Sequence, residues 1–342
     1  MMKIKVLTIL AIFASFFWLA ALQPRRLPDI NSLKELKLEL VLDLSERTDV
    51  ALPSLGKITK EDEFVFFDAR LRRLMVMSLD GRQVRTIGSF GDGPGEYRQV
   101  RDLLVDDDGL WILDARSRLM QYGFEGGLQQ VLKLPFTALK LLGRSGQVFF
   151  LVCRTVSQEG QFENEVIRWQ EGEEPVSLCK MPLVVMRTKA FSLDGREIAG
   201  GGLVTLSAPA FAFLGDRLAA AAGSSYSIRF FDLEGRETDT WKFEAPEPEF
   251  GNSVFNSVNK EFRAYAIGDM FGLPDGLAAV GNYFKKGQPR LDCFGFDGQL
   301  RSSWLIPLSL DPRTCRFWLD GRYLVYFSGD EGCRIYRVKS RL

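Results

Sequence analysis

The sequence predicts an all-β protein, a six-bladed β-propeller of four-stranded antiparallel blades, on three observations. A pattern of strands and turns that begins at Phe64 recurs at Leu110, which places Asp68 and Asp114 46 residues apart. Almost no segment has helical periodicity, and short strands at this spacing are typical of propeller blades. Turn glycines recur with gaps of 45, 46, 63 and 63 residues, at Gly81, Gly126, Gly172, Gly235 and Gly298.

Each repeat is a set of short strands joined by Asp-Gly or Glu-Gly turns, in which glycine accepts the positive φ of a tight hairpin. The second copy, LWILDARSRLMQYGFEGGLQQVL, follows the first, FVFFDARLRRLMVMSLDGRQVRTI, almost element by element. Looser copies of the hairpin begin at Val166, Ile228 and Leu291, and CRIYRVKSRL ends the chain. Six copies of such a unit account for the length of the chain.

The N-terminal part of the chain supplies the strand that the last copy lacks. Residues 36–44, LKLELVLDL, place leucines at every second position, as a strand with one apolar face requires. We expect this strand to be the outer strand of the blade formed by 312–338, where it would cover an open edge. The predicted propeller therefore spans 36–342, and 23–35 is predicted to be a linker.

A targeting segment precedes this linker. Lys3 and Lys5 come before an apolar run, VLTILAIFASFFWLAAL, and Arg25 and Arg26 follow it. A basic start with an apolar middle is typical of a secretory signal, and the run is also close to the shortest stretch that spans a bilayer. Residues 1–22 are therefore a signal peptide or an uncleaved signal anchor. In either case we expect the propeller to be exported to the periplasm or outer envelope.

The composition excludes several classes of chemistry. The chain has no histidine, so no Ser-His-Asp triad, Cys-His pair or His-ligated metal site can form. Lysine plus arginine equals aspartate plus glutamate, 44 of each, so a nucleic-acid partner has no global electrostatic support. We expect no nucleic-acid binding, no cofactor and no bound metal.

The glycine-rich segment IGSFGDGPGEYRQV, residues 87–100, has two interpretations. A phosphate-binding loop needs a strand before it and a helix after it, and here a second strand follows. The segment is better interpreted as the crossover from the outer strand of one blade to the inner strand of the next. In the same way, DDDG at 106–109 is interpreted as a hairpin turn instead of a calcium loop.

The repeated aspartates Asp68 and Asp114 also have two interpretations. They could line the central channel as acids or metal ligands, or each could cap backbone N–H groups of the loop that follows it. Their identical position in two repeats favours capping, because structural repeats usually repeat a structural role.

The patterns I-G-x-x-G-x-G-P-G-E-Y, V-D-x-D-G-L-W-I-L-D-A-R-x-R and x-F-D-x-x-G resemble those of the NHL-repeat type six-bladed β-propellers, particularly exported bacterial ones. The resemblance is close over 62–132 and looser over 205–342. The chain departs from it at Val100, where the family often has proline, and 183–207 fits no blade strand well. The resemblance implies a propeller fold and a binding scaffold but no single activity.

The cysteines are five in number, so at least one is a thiol. In the predicted blades Cys153 and Cys179 lie on a second and a fourth strand, and Cys315 and Cys333 on a first and a third. Strands two apart are about 9.6 Å apart, beyond the reach of a disulfide. We therefore expect buried thiols.

Candidate binding residues lie in the loops between second and third strands and in the crossovers, which share one end of a propeller. These loops are basic, whereas the turns of the opposite end, such as KEDE, DDDG and QEGEE, are acidic. Either the basic end binds an anionic partner, or its charges are solvated turn residues. The predicted binding residues are Arg70, Arg72, Arg73, Arg98, Arg101, Arg116, Arg118, Arg154, Lys285, Lys286 and Arg290.

These observations favour a non-catalytic propeller scaffold of the cell envelope that presents its basic loop face to an anionic partner. That partner would be a protein, an anionic glycan or a lipid headgroup, and the propeller is expected to be monomeric. The alternative is a calcium-dependent propeller hydrolase of the lactonase or esterase type. That alternative needs Glu, Asp and Asn side chains near the ends of the inner strands, and the sequence shows no convincing set.

Overall fold

The computed structural model describes residues 25–187, 190–191, 197–198, 203–245, 265–285, 287–308, 315–328 and 332–342. Within these ranges the protein is a six-bladed β-propeller with four-stranded antiparallel blades, as predicted. The first strand of each blade lies innermost, and the fourth is the outermost strand except in blades 4 and 5, where a short N-terminal strand pairs outside it. In the described part, the one helical element is a single 3-10 turn, Ile30–Ser32.

The strands of the first three blades follow the chain without interruption. Blade 1 comprises Pro53–Ile58, Glu63–Asp68, Arg73–Ser78 and Val84–Ile87; blade 2 comprises Val100–Asp106, Gly109–Asp114, Arg118–Tyr122 and Leu128–Lys133; blade 3 comprises Ala138–Ser145, Val148–Val156, Phe162–Trp169 and Val176–Pro182.

Each of the last three blades receives a strand from the N-terminal part of the chain, as a fifth strand in blades 4 and 5 and as the fourth strand in blade 6. Blade 4 comprises Ala210–Phe213, Leu218–Ala221, Tyr226–Phe231 and Glu237–Glu244; blade 5 comprises Ile267–Leu273, Gly276–Lys285, Gln288–Gly295 and Leu300–Leu305; blade 6 comprises Cys315–Leu319, Tyr323–Ser328, Gly332–Val338 and, as its fourth strand, Leu38–Asp43.

Tight turns and apolar alternation explain these elements. Gly81 and Gly126, in the turns between third and fourth strands, have φ of 72° and 92°, a region that glycine occupies without steric cost. The apolar faces of the strands pack between blades, so that Phe67 and Leu74 of blade 1 contact the cluster containing Leu103 of blade 2. Equivalent clusters lie at the other blade boundaries of the described chain.

The segment predicted to be a linker, 23–35, is part of the propeller from Arg25 onward, which corrects the sequence-based boundary. Arg25–Arg26 pairs in parallel with the outer strand of blade 4, and Lys34–Glu35 with that of blade 5. Leu38–Asp43 then pairs antiparallel with Gly332–Val338. We call residues 25–43 the N-terminal strap, because they cover the outer edges of three consecutive blades.

Between blades 3 and 4 the chain forms two nested two-stranded sheets instead of a direct crossover. Val184–Arg187 pairs with Leu203–Ser207, and Ala190–Phe191 pairs with Glu197–Ile198. This insertion explains why 183–207 fits no blade strand. Residues 1–22, predicted to be a signal peptide or anchor, lie outside the described residues, and no helix in the described ranges is long and apolar enough to cross a membrane.

The cysteines are thiols, as expected from the blade register. Cys153, Cys179, Cys293 and Cys333 are buried, and burial raises the pKa of the first three thiols to about 12. Cys315 is half-buried on the inner strand of blade 6, and its Sγ lies 3.2 Å from the hydroxyl of Tyr326. At ordinary pH the buried thiols are protonated and act as small apolar side chains.

Candidate functional site

The glycine-rich segment is the crossover between blades 1 and 2, as predicted. Ser89–Phe90 pairs in parallel with Glu96–Tyr97, so the glycines close a compact loop. The Gly93 N–H donates to the Glu96 carboxylate at 2.6 Å, and a Cβ on Gly91 would collide with that same carboxylate. The loop thus uses its glycines to bind its own carboxylate, and the strand Val100–Asp106 follows it directly.

The two repeated aspartates are buried and bind backbone groups, away from the central cavity described below. The Asp68 carboxylate accepts from the N–H groups of Arg70 and Leu71 in the loop that follows it, as predicted. It also accepts from Ala51 and Leu52 in the preceding segment. Asp114 differs from that prediction, because it accepts from the Gln99 N–H of the crossover and from the Arg118 guanidinium.

Three of the predicted binding residues meet around the crossover. The guanidinium of Arg72 lies 4.7 Å from the ring centroid of Phe90, and that of Arg98 lies 5.4 Å from the same ring. Arg98 and Arg116 both form ion pairs with Asp92. Hydrogen bonding from Arg98 and the charge of Arg116 lower the pKa of Asp92, so this carboxylate stays ionised and links the two arginines.

The loop between the second and third strands of blade 1 adds Arg70 beside Arg72, the third strand begins with Arg73, and all three side chains are exposed. None of the three has a carboxylate within ion-pair distance among the residues described. We call Arg70, Arg72, Arg73, Arg98 and Arg116 the arginine face. The backbone of Arg72 is left-handed, with φ of 56°, like Ser117 at the equivalent place in blade 2. The turn therefore requires this conformation but does not require arginine.

The remaining predicted residues serve other places in the fold. Arg118 pairs with buried Asp114, and Arg101 donates to the Ala138 carbonyl at 2.8 Å. Arg154 is exposed on the long hairpin of blade 3, and Lys286 lies outside the described residues.

Two predicted residues of blade 5 contact the N-terminal strap. Lys285 donates to the carbonyl of Asn31 at 3.0 Å. Arg290 is only 2% exposed, pairs with Asp292 at 2.7 Å and donates to the Pro28 carbonyl. Arg290 therefore stabilises the fold and is unavailable to a surface partner, because its charge is buried against Asp292.

The opposite end of the propeller carries the acidic turns, and many of their carboxylates have basic partners. Glu63 pairs with Arg85 at 2.6 Å within blade 1. Arg144 of blade 3 reaches Asp106 at 2.8 Å and also pairs with Asp108 of the DDDG turn in blade 2. This turn therefore joins two blades through ion pairs, and Asp106–Asp108 acts as a hairpin turn, as predicted.

A central cavity of about 510 Å³ lies between the inner strands, and sequence reasoning missed it. One wall is aromatic, with Phe271, Phe317, Trp318 and Phe327 from blades 5 and 6. The charged lining residues are Lys57, Arg101, Asp102, Lys140, Asp269 and Arg316. Charged residues at inner-strand positions, which should pack on apolar neighbours, were the signal available in the sequence.

The charges of the cavity are partly matched. Lys140 and Asp269 approach to 3.9 Å. The Asp102 carboxylate accepts from the N–H groups of Leu103 and Leu141. Lys57 lies with its Nζ 4.8 Å from the Trp318 ring centroid, and burial lowers the pKa of this amine to about 8. The cavity therefore holds a cation whose charged form is poorly compensated.

The alternative of a calcium-dependent hydrolase requires several acidic ligands together. In the part of the chain that the structure describes, no group of three or more Asp, Glu or Cys side chains is placed to hold a metal ion. The carboxylates among the described cavity-lining residues are those of Asp102 and Asp269. Asp102 accepts from two backbone N–H groups, and Asp269 faces Lys140 and accepts from the Met270 N–H.

Comparisons with known proteins agree on the fold. The family DUF5128, described as "6-bladed beta-propeller", matches residues 36–178. A Bacteroides fragilis protein named for its expected export is 13% identical, with a TM-score of 0.51 over 92% of this chain and 99% of that one. At this identity the likeness concerns the fold alone. Comparison with curated proteins gives no match.

Two further solved structures are similar at lower TM-scores. The Staphylococcus aureus virginiamycin B lyase is 13% identical over 89% of both chains, with a TM-score of 0.42. The calcium-binding protein regucalcin of Agrobacterium tumefaciens is 10% identical over 90% of this chain and 97% of that one, with a TM-score of 0.45. Neither likeness carries an argument about function.

Proposed function

We propose that this propeller is a non-catalytic binding module of the cell envelope whose arginine face binds an anionic partner. The observation that carries the proposal is the loop of Arg70, Arg72 and Arg73, three exposed guanidinium groups without a carboxylate partner in the described chain. Guanidinium groups bind carboxylate, sulfate and phosphate oxygens through paired hydrogen bonds. Such a surface suits a partner that bears several of these groups.

The charge balance of the face supports this proposal. Its five arginines outnumber the carboxylates of Asp68, Asp92 and Glu96 in the same loops, so positive charge exceeds negative charge locally although the whole chain is neutral. Asp92 also fixes Arg98 and Arg116, which reduces the rotamer entropy that these side chains lose on binding. The Phe90 ring packs against the guanidinium groups of Arg72 and Arg98 and helps to position both.

The place of action follows from the N-terminal sequence. Lys3, Lys5 and the apolar run of residues 6–22 are typical of an export signal, which puts the propeller outside the cytoplasm. The repeat motifs also support assignment to the NHL-repeat type of propeller. Of the anionic partners available in a cell envelope, acidic polysaccharide suits the face best, because its repeated acid groups can meet several arginines at once.

Retention on a heparin column at low salt tests the proposal. We expect the neutral protein to be retained near 0.05 M salt and eluted well below 1 M, because the Debye length falls to about 3 Å at 1 M. The variant Arg70→Glu/Arg72→Glu/Arg73→Glu should flow through while it keeps the circular dichroism spectrum of the wild type. If the wild-type protein flows through at low salt, the charges are solvated turn residues and the proposal fails. Binding to anionic lipid vesicles but not to heparin would assign the face to a membrane surface and also contradict the polysaccharide assignment.

A further inference from the structure

The central cavity is separate from the arginine face, and it combines two kinds of wall. Blades 5 and 6 contribute a cluster of rings, in which Phe271 and Phe317 have centroids 5.4 Å apart. Blades 1, 2 and 3 contribute charged side chains, among them Lys57 and Lys140. A volume of about 510 Å³ lies within the range of small-molecule sites. The cavity is therefore large enough for a compact organic ligand.

The carboxylates of the cavity are already engaged. Asp102 accepts two backbone N–H groups, at 2.9 and 2.8 Å. Asp269 accepts from the Met270 N–H at 2.9 Å and faces Lys140. A cationic ligand would therefore have to compete with existing partners. The negative side of the cavity offers little to an incoming positive charge.

The basic side chains of the cavity are less completely paired than its carboxylates. Arg101 donates to the Ala138 carbonyl, and Lys140 faces Asp269, but Lys57 and Arg316 have no carboxylate within ion-pair distance among the described residues. The ammonium of Lys57 lies instead against the face of Trp318. A ring face stabilises a cation less than a carboxylate does at close range. An anionic ligand in the cavity would therefore supply the counter-charge that Lys57 does not receive from the described residues.

We propose that the central cavity binds a small aromatic carboxylate, whose acid group pairs with Lys57 while its ring packs among Phe271, Phe317 and Phe327. The acid group would gain a charge-assisted hydrogen bond, and the ring would bury apolar surface against the aromatic wall. A ligand with several negative charges fits less well, because Asp102 and Asp269 lie at the same cavity.

Isothermal titration calorimetry with phenylacetate, phenylacetamide and phenethylamine tests this assignment. The three probes share a ring and differ in charge, so the acid alone should bind, in the millimolar range or tighter. Lys57→Met should weaken phenylacetate binding by at least about tenfold, the loss of one charge-assisted hydrogen bond. Lys60→Met, at an exposed lysine that pairs with Asp107 outside the cavity, is the matched control and should bind like the wild type.

The protonation state of Lys57 allows a second test of the proposal, the pH dependence of phenylacetate binding. The charged groups that face this amine are Asp102, Lys140, Asp269 and Asp320, with Arg101 and Arg316 at the same cavity. Phenylacetate should bind more weakly at about pH 10 than at about pH 7, since the amine is then neutral, whereas Lys57→Arg should bind equally at both. Equal binding of acid and amide, retention of binding in Lys57→Met, or no binding of phenylacetate at millimolar concentration would each overturn the proposal. Substitutions in the arginine face should leave phenylacetate binding unchanged.

Discussion

At the acidic-turn end of the propeller, Arg144 and Arg322 each bind carboxylates of a neighbouring blade, so that ion pairs join blade 2 to blade 3 and blade 6 to blade 1. At the crossover end, Arg72 lies against Phe90 of the crossover to blade 2, but Arg70, Arg72 and Arg73 have no carboxylate partner in the described chain. Arg144 and Arg322 therefore pair across blade boundaries, whereas Arg70, Arg72 and Arg73 leave their charge available. Net charge conceals this difference, because it sums over both ends.

The largest effect should come from removing the N-terminal strap, which pairs with the outer edges of blades 4, 5 and 6. A variant starting at Glu46 loses the buried leucines Leu27, Leu36, Leu42 and Leu44 and exposes the edges of blades 4 to 6. Burial of each leucine stabilises the fold by about 2 kcal/mol, so the variant should melt far lower or aggregate. A variant starting at Arg25 is the control. An unchanged melting temperature for the shorter variant would show that the strap does not support the ring.

Neutralising a paired arginine should cost more than neutralising an unpaired one. Arg144→Met leaves Asp106 and Asp108 without their shared cation, and the side chain is only 10% exposed, so we expect a loss of about 1–3 kcal/mol in unfolding free energy. Arg72→Met removes no ion pair and should change the unfolding free energy by less than about 0.5 kcal/mol. Urea unfolding of the two variants measures both values. Equal losses would remove the distinction between the ends.

Lys57 lies at the central cavity, between the two ends, and Lys57→Met should stabilise the protein at neutral pH. The pKa of Lys57 falls from 10.5 to about 8 on folding, because burial disfavours the ammonium. Below pH 8 the amine is charged in the folded and in the unfolded protein, and the folded protein then carries the full free-energy cost of burying the ammonium. As pH rises from 8 to 10.5 the folded protein releases its proton first and the penalty disappears. Because the side chain is only half-buried, we expect a gain of about 1 kcal/mol at pH 7 that vanishes near pH 10.5. A destabilised variant at pH 7 would contradict this.

A difference of similar size should separate two glycines, one at each end. A Cβ on Gly91 would meet the Glu96 carboxylate in the crossover, whereas Gly127, in an acidic-end turn, has nothing within 4 Å of an added Cβ. Gly91→Ala should therefore lower the unfolding free energy by about 1 kcal/mol, because Glu96 must move from its hydrogen bond with Gly93. Gly127→Ala should be neutral or slightly stabilising. Thermal melts of both variants decide whether the crossover glycines serve packing.

The predictable part of the structure is the part that local chemistry specifies. Turn glycines and alternating strands recur within each blade, so the blade register and the crossover at 87–100 could be predicted. The strap before Leu38 could not, because Arg25–Arg26 and Lys34–Glu35 are two-residue polar strands without any alternation. The sequence predicts Arg290 to be a surface loop residue. Its burial could not be predicted, because one of its two partners, the Pro28 carbonyl, is more than 250 residues away in the chain, although the other, Asp292, is two residues away. The cavity was missed for the same reason, because it forms only when distant inner strands meet.

The most direct test of the difference between the two ends is the affinity for a sulfated heparin oligosaccharide, measured by fluorescence anisotropy at several salt concentrations. Two triple variants change the net charge equally. One is Arg70→Glu/Arg72→Glu/Arg73→Glu at the crossover end, and the other is Arg82→Glu/Arg236→Glu/Arg301→Glu at the acidic-turn end, where each arginine has a carboxylate within 3.7 Å. We predict that the first variant loses at least about tenfold in affinity together with most of its salt dependence. The second should keep the salt dependence of the wild type. Equal losses in the two variants would show that only net charge matters and would contradict the arginine face.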